Sequence, residues 1–149
     1  GKILCQTDFS EPSYRGLEAA GQLARHFGAE LVLVHVVTPQ PLVTTPESAV
    51  PPQLANLSEE LEAWARRTIE KVQAERVGQE FPSRSLVLRG NAADRIVETA
   101  ATERADLIVI ATHGHTGFRR FMFGSVAEKV VRMSDRPVLT VHAGPQSEE

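Results

Sequence analysis

"DLIVIATHGHTGFRRFMFGSVAEKVVRMSDRPVLTVH" spans residues 106–142 and holds the pattern that decides the fold. An apolar, β-branched run at 106–112 predicts a strand, and the run at 136–142 predicts another. Between them, apolar residues at helical spacing predict a helix over 124–134. Strand, helix and strand in this order indicate two parallel strands that are joined by a right-handed crossover.

The same alternation runs through the preceding part of the chain. Ser10 and Ser58 are the predicted N-caps of its first two helices, with Pro12 in the first turn of one and Gly28 after its end. Strands that are apolar throughout suit a sheet covered on both faces. The sequence therefore predicts an open α/β sheet with helices on both sides. The further predicted strands are 2–7, 30–37 and 83–90, and the further predicted helices are 11–28, 58–77 and 92–105.

The overall composition is that of a globular protein with one core. The 149 residues are 42% apolar and 23% charged, which suits a single domain over 1–149. A net charge of −3 predicts no nucleic-acid partner, and no apolar run reaches the roughly 20 residues of a membrane span. The single cysteine, Cys5, excludes an internal disulfide, and no signal-peptide pattern opens the chain, so we expect a cytoplasmic protein. Cys5 lies in a predicted strand and is expected to be a small core residue.

Two segments fall outside the alternation. The segment 38–57 is a predicted loop, because its prolines are incompatible with a continuous helix. A loop of this length is either mobile or forms a lid or contact surface, and the sequence leaves both open. The polar tail 143–149 is expected to fray. The prolines of the loop are Pro39, Pro41, Pro46, Pro51 and Pro52.

A ligand is expected just beyond the strands. In open sheets of this kind ligands bind past the carboxyl ends of the strands, where the strand order reverses. Thr7 and Asp8 follow the first strand, and Asp8 either helps to cap the first helix or accepts hydrogen bonds from sugar hydroxyls. Gly124 and Ser125 open the helix after the fourth strand, either as an ordinary cap or as a phosphate-binding N-terminus.

Motifs for other chemistry are missing. The sequence contains no GxxxxGK[ST], GxGxxG or GxSxG, so no P-loop, nicotinamide fingerprint or nucleophile elbow is predicted, and no catalytic residue is assigned. His113 and His115 form H-x-H and His35 ends a strand, but no further ligand stands at a recognisable spacing, so we predict no metal site. Arg119 and Arg120 either reach phosphates or form a solvated surface pair.

The pattern A-x2-G-x9-G-S, formed by Ala111, Gly114, Gly124 and Ser125 and followed by "VAEKVVRMSDRPVLTVH", resembles the universal stress protein family. "ILCQTDFSEPSYRGLEAA" and "LVLVHVV" are similar to the first strand and helix and the second strand of that family, so the resemblance covers 2–142. It implies a five-stranded parallel sheet of order 3-2-1-4-5 and a homodimer formed through the edge strand 136–142. In the branch with the motif G-x2-G-x9-G-[ST], it also implies binding of ATP.

The resemblance further implies a role for individual residues. Asp8 would contact the ribose and Val36 the adenine, while Ile110 and Ala111 would line both. Gly114, Gly124, Ser125 and Val126 would hold the phosphates. The implied ATP site consists of Thr7, Asp8, Val36, Ile110, Ala111, Gly114, Gly124, Ser125 and Val126, with His113, His115, Arg119 and Arg120 as further phosphate or cleft contacts.

The sequence departs from the family pattern at two positions. Ala111 stands where the motif has its first Gly, and Gln6 stands where the family usually has Pro. The methyl group of Ala111 either crowds the ligand, if the backbone passes close to it or requires a positive φ, or is harmless.

Three functions are compatible with these observations. The favoured one is a regulatory homodimer that binds ATP, AMP or ADP, with or without Mg²⁺, at the carboxyl ends of strands 1, 2 and 4. It is favoured because the phosphate-binding pattern comes without a recognisable base, metal ligand or P-loop Lys for phosphoryl transfer. The others are a slow ATPase and an interaction protein whose cleft is vestigial.

Overall fold

The computed structural model describes residues 1–39, 52–113 and 124–143, with the backbone alone at 52–55 and at 113. The strands are β1 (Lys2–Gln6), β2 (Glu30–Val37), β3 (Ser83–Arg89), β4 (Leu107–His113) and β5 (Val138–Ala143). They pair in parallel into one sheet of order β3-β2-β1-β4-β5. The predicted open parallel sheet and the implied order 3-2-1-4-5 are therefore confirmed.

Helices cover both faces of this sheet, as the sequence predicts. The helices are α1 (Glu11–Phe27), α2 (Pro52–Val72), α3 (Ala92–Thr102) and α4 (Ser125–Met133). One buried cluster joins the sheet to α1 and α2, and a second joins its other face to α3 and α4. No helix in the three described ranges is both long and apolar enough to cross a membrane.

The two clusters explain why the central strands are apolar along most of their length. Successive side chains of a strand point to opposite faces, so a strand covered on both faces buries all of them. On β1, Leu4 belongs to the cluster of α3 and α4, while Cys5 belongs to the cluster of α1 and α2. Both are fully buried, and burial raises the pKa of the Cys5 thiol to about 12. Cys5 is therefore a core residue, as the sequence predicts.

The ends of α1 follow the predicted caps. Ser10 is the N-cap and accepts a hydrogen bond from the backbone N–H of Ser13, while Pro12 lies in the first turn. Gly28 closes the helix in the left-handed conformation, with φ 61°. These contacts satisfy backbone groups that a helix leaves without partners at its ends.

The start of α2 corrects the sequence analysis. The helix begins at Pro52, so Ser58 lies inside it and is not its N-cap. Proline is tolerated in the first turn of a helix, where its missing N–H would have no partner, so Pro52 opens the helix that it was expected to exclude. The predicted loop 38–57 is thus too long at its C-terminal end, and 40–51 lies outside the described residues. The helix continues as a π-helical turn over Gln73–Val77.

Two further elements differ from the predicted ones by more than one residue at an end. The third helix ends at Thr102 instead of 105, because Arg104 adopts a left-handed conformation with φ 55°. The fifth strand is shifted along the chain and includes Ala143, whose side chain is buried. The first residue of the predicted tail 143–149 therefore belongs to the sheet, and 144–149 lies outside the described residues.

Candidate functional site

The candidate site lies past the carboxyl end of β1. Pairing of β1 with β2 ends at Gln6 and Val34, and pairing of β1 with β4 ends at Cys5 and Val109. Because β2 and β4 both continue beyond these pairs, a gap opens between them. The chain leaves β1 for α1 on one face and reaches α4 from β4 on the other, so the gap is the point where the strand order reverses.

The turn from β1 to α1 is tied down by Thr7. This side chain is fully buried, and its Oγ1 lies 2.8 Å from the Oγ of Ser13 and accepts the backbone N–H of Phe9 at 3.0 Å. The backbone N–H of Thr7 donates to Val34 O at 2.8 Å. Thr7 thus has a demonstrated structural role, and contact with a ligand through its side chain would require these bonds to change.

Asp8 is exposed at the rim of the gap. Its Oδ1 accepts the backbone N–H of Ser10 at 3.0 Å and also bonds the hydroxyl of Ser10. The alternative in which Asp8 supports the start of α1 alongside Ser10 is therefore confirmed. The same contacts fix the carboxylate beside the gap, so the role with sugar hydroxyls is compatible with them and stays a prediction.

An aromatic cluster of Phe9, His35 and Trp64 packs behind this turn. The rings of Phe9 and His35 stack with centroids 4.1 Å apart, and Trp64 meets Phe9 edge-on at 5.5 Å. The Nδ1–H of His35 donates to Thr7 O at 2.8 Å, which fixes the neutral tautomer. Burial lowers the pKa of His35, against the opposing effects of the Thr7 hydrogen bond and the Asp8 charge, so the ring is neutral at pH 7.

Sequence analysis missed the role of Phe9 in this cluster. Its backbone is left-handed, with φ 66°, which is rare for a bulky residue. Glycine or asparagine would have marked such a conformation in the sequence, but phenylalanine carries no such signal. His35 is a histidine with a structural partner, because its ring nitrogen bonds the backbone carbonyl of Thr7.

The backbones of Val36 and Ala111 both point into the gap. On β2, the carbonyl of Val34 accepts a hydrogen bond from Thr7, which follows β1, and the carbonyl of Val37 accepts one from Gly90, which follows β3. Peptide groups along a strand face its two neighbours alternately, with a period of two residues, so the N–H and C=O of Val36 face the same side as those of Val34, the β1 side. Ile108 N donates to Pro137 O on the β5 side, which by the same period turns the polar groups of Ala111 towards β1. The gap past β1 is therefore lined with peptide groups from both sides.

The side chains at these positions do not line the gap. Val36 and Ile110 are buried in the cluster of α3 and α4. The methyl group of Ala111 lies on the opposite face, under α1, where a β-carbon built on Gly16 would be 3.3 Å from it. Ala111 is also absent from the described non-glycine residues with positive φ. Any contact of these three residues with a ligand would therefore be made mainly by the backbone.

The N-terminus of α4 carries groups that can bind an anion. Gly124 is its N-cap, and among the described residues no atom apart from its chain neighbours lies within 4 Å of a β-carbon built there. Ser125 is exposed and Val126 is half-buried in the first turn. The backbone N–H groups of a first turn have no partner within the helix and lie at the positive end of the helix dipole. This end of α4 can therefore hold an anion through backbone donors and the Ser125 hydroxyl.

Several of the predicted contact residues are not described by the structure, or are described by their backbone alone. Gly114, His115, Arg119 and Arg120 lie outside the described residues, and His113 is described by its backbone, which pairs with Ala143. Within the described ranges, no three His, Cys, Asp or Glu side chains come close enough to hold a metal ion.

Comparison with known proteins bears on the same fold and site. The model of the universal stress protein family matches residues 1–142. A universal stress protein of Methanocaldococcus jannaschii, MJ0531, is 36% identical over 140 residues, which is 94% of this chain and 81% of that protein. The solved structure of MJ0577, from the same organism, is similar with a TM-score of 0.77 and 28% identity, covering 95% of this chain and 94% of that one.

A second solved structure is a universal stress protein in complex with cAMP. It has a TM-score of 0.65 and 26% identity to this protein, and the match covers 95% of each chain. The sheet order agrees with the order that the resemblance to this family implies, and the family match covers all but the last described residue. This protein therefore belongs to the universal stress protein family.

Proposed function

We propose that this protein binds ATP, or AMP or ADP, in the gap past β1 and acts as a regulatory module of the stress response. The base would lie against the backbone of Val36, and the ribose would contact Asp8. Ile110 and Ala111 would border base and ribose through their backbones. The phosphates would be held by Gly114, Gly124, Ser125 and Val126, with or without Mg²⁺.

The N-terminus of α4 is the observation that carries this proposal. Its first turn offers backbone donors and a hydroxyl beside Gly124, and apart from the chain neighbours of Gly124 no other described residue lies within 4 Å of a β-carbon built on it. Asp8 adds a carboxylate at the rim of the same strand-order reversal. A ligand with a phosphate at the N-terminus of α4 and a sugar hydroxyl at Asp8 has the groups of a nucleotide. The cAMP complex of a related protein agrees in ligand class.

Nucleotide binding is tested first on the purified wild-type protein. Nucleotide released on denaturation is identified by mass spectrometry, and calorimetry with ATP, with and without Mg²⁺, gives the affinity. Asp8→Asn and Ser125→Ala should each weaken binding about ten- to hundredfold, since a hydrogen bond to a charged group contributes about 1.5–3 kcal/mol. Asp135→Asn and Ser58→Ala, which lie outside the proposed site, are the matched controls. No released nucleotide and no heat with excess ATP would rule out the proposal.

Turnover is the second candidate, because a slow ATPase would use the same cleft. We expect no burst and negligible steady release of phosphate, since the sequence contains the phosphate-binding pattern without a recognisable general base for phosphoryl transfer. Phosphate release is followed in wild type and in Asp8→Asn, His113→Gln and Ser125→Ala. A rate that falls in these variants would assign hydrolysis to this cleft.

A homodimer through β5 completes the proposal. β5 is an edge of the sheet, and Leu139 on it is 38% exposed, so a second copy would cover an open hydrogen-bonding edge. Leu139→Glu should shift the mass found by light scattering from dimer to monomer. Leu61→Glu on α2, where the leucine is 46% exposed, is the matched control and should leave the dimer intact. A wild-type monomer would contradict this part of the proposal.

A further inference from the structure

Phe9 has a backbone conformation that its own side chain disfavours. Its φ of 66° lies in the left-handed region, which glycine, asparagine and aspartate enter most readily. Arg104 is the other non-glycine residue with positive φ in the part of the chain that the structure describes. Such a conformation persists where surrounding contacts hold it, and it concentrates at functional sites.

Three contacts hold Phe9 in place. His35 stacks on its ring at 4.1 Å with an interplanar angle of 22°, and Trp64 meets the ring edge-on at 5.5 Å. The backbone N–H of Phe9 donates to Thr7 Oγ1 at 3.0 Å. His35 is itself fixed by its bond to Thr7 O. The ring of Phe9 is thus clamped by β2 on one side and α2 on another.

Phe9 lies in the chain between Asp8 and Ser10, which are joined by a hydrogen bond. Asp8 precedes Phe9 and Ser10 follows it, and the Ser10 N–H donates to Asp8 Oδ1 at 3.0 Å. The reversal at Phe9 brings the Ser10 amide back towards the carboxylate and so fixes the position of Asp8 at the gap. We propose that Phe9 is a positioning residue for a nucleotide ligand, whose clamped ring holds the left-handed turn that orients Asp8. This inference rests on the proposed function, because it presumes that Asp8 contacts the ligand.

Two substitutions of Phe9 distinguish a role in positioning the backbone from a role in packing. Phe9→Val and Phe9→Asn both remove the ring, but asparagine readily adopts the left-handed conformation and β-branched valine does not. ATP affinity should fall about tenfold in Phe9→Val, the factor that corresponds to the cost of a left-handed residue. Phe9→Asn should stay within about threefold of wild type, because asparagine carries a much smaller cost.

Arg104→Val provides the matched control. It places the same strained residue type at the other described left-handed position, which follows α3 and lies outside the gap. We expect it to lower thermal stability as Phe9→Val does, with ATP affinity unchanged. Titrations are run at a temperature at which circular dichroism shows every variant folded. Equal losses of affinity in Phe9→Val and Phe9→Asn, or wild-type affinity in Phe9→Val, would overturn the inference.

A second readout needs no ligand and separates this inference from the proposed function. In wild type and Phe9→Asn, the NMR shift of the Ser10 amide should follow the titration of the Asp8 carboxylate that it bonds. In Phe9→Val this dependence should disappear. If wild type fails to bind ATP, the proposed function fails, and the Ser10 amide still decides the positioning role. A Ser10 amide that titrates alike in all three proteins would overturn that role.

Discussion

Gly16 on α1 lies directly against Ala111 on β4. A β-carbon built on Gly16 would be 3.3 Å from both the Cβ and the backbone N of Ala111, closer than ordinary van der Waals contact. The helix can approach the strand this closely because Gly16 has no side chain. Ala111, which replaces the first glycine of the family motif, therefore directs its methyl group towards a helix and away from the gap past β1.

Gly16→Ala should lower the free energy of unfolding by about 1 kcal/mol, although alanine normally favours a helix by a similar amount. The added methyl group meets a backbone atom of the sheet, which cannot move aside easily. The double variant Gly16→Ala with Ala111→Gly should recover part of the loss, because one of the two close contacts disappears. Urea denaturation of the four proteins measures this coupling. A more stable Gly16→Ala protein would show that α1 shifts freely.

Ala111→Gly restores the family motif and should change ATP affinity by less than about threefold. The methyl group points to Gly16, and Ala111 has no positive φ that glycine would relieve. Calorimetry with ATP on both proteins is the measurement. Binding that arises in Ala111→Gly alone would instead favour a vestigial cleft in the natural protein.

An ion cluster at the amino ends of the strands should make stability depend on acid pH. Arg84 donates to Glu30 at 2.7 Å and to both carboxylate oxygens of Glu103, and Lys2 lies 3.6 and 3.5 Å from these two acids. The Arg84 hydrogen bonds lower the pKa of both carboxyl groups below the ordinary 4.5. The stability that these two ionised carboxylates contribute is therefore fully present above their pKa in the unfolded chain. It is lost as the pH falls through their lower pKa values in the folded protein.

Arg84→Met tests this dependence. The variant should be less stable than wild type at pH 7, and the difference should shrink as the pH falls below about 4.5, where the acids take up protons. Urea denaturation between pH 3 and 7 provides the comparison. Arg132→Gln, which breaks an exposed pair with Glu128, is the control and should change little at any pH. A constant difference between wild type and Arg84→Met would contradict the assignment.

Cys5 should react with thiol reagents only when the protein unfolds. Its side chain is fully buried in β1, and burial raises the pKa of the thiol to about 12, while the thiolate is the reactive form. Labelling at pH 8 should be slower than in urea on the order of a thousandfold or more, as the free energy of a small domain implies. Rapid labelling of folded protein would show that β1 opens locally.

Much of the fold follows from local patterns. The runs at 30–37 and 83–90 become β2 and β3 within one residue. β2 is predictable because it lies inside the sheet and is covered on both faces, which favours apolar residues at nearly every position. Ser10, Pro12 and Gly28 act locally, so α1 is predicted well. Pro52 shows the limit of this reasoning. The missing N–H of proline disrupts the interior of a helix but is tolerated in its first turn, so a proline alone does not distinguish a loop from a helix start.

The sequence by itself determined the strand–helix alternation, the caps of α1 and the motif that places this protein in its family, because each depends on residues close together in the chain. Tertiary structure decided the side chain directions and the strained turn. Ala111 faces Gly16 because the sheet packs under α1, and Phe9 is left-handed because rings from β2 and α2 clamp it. These contacts join residues that are distant in sequence, so only the folded chain brings them together.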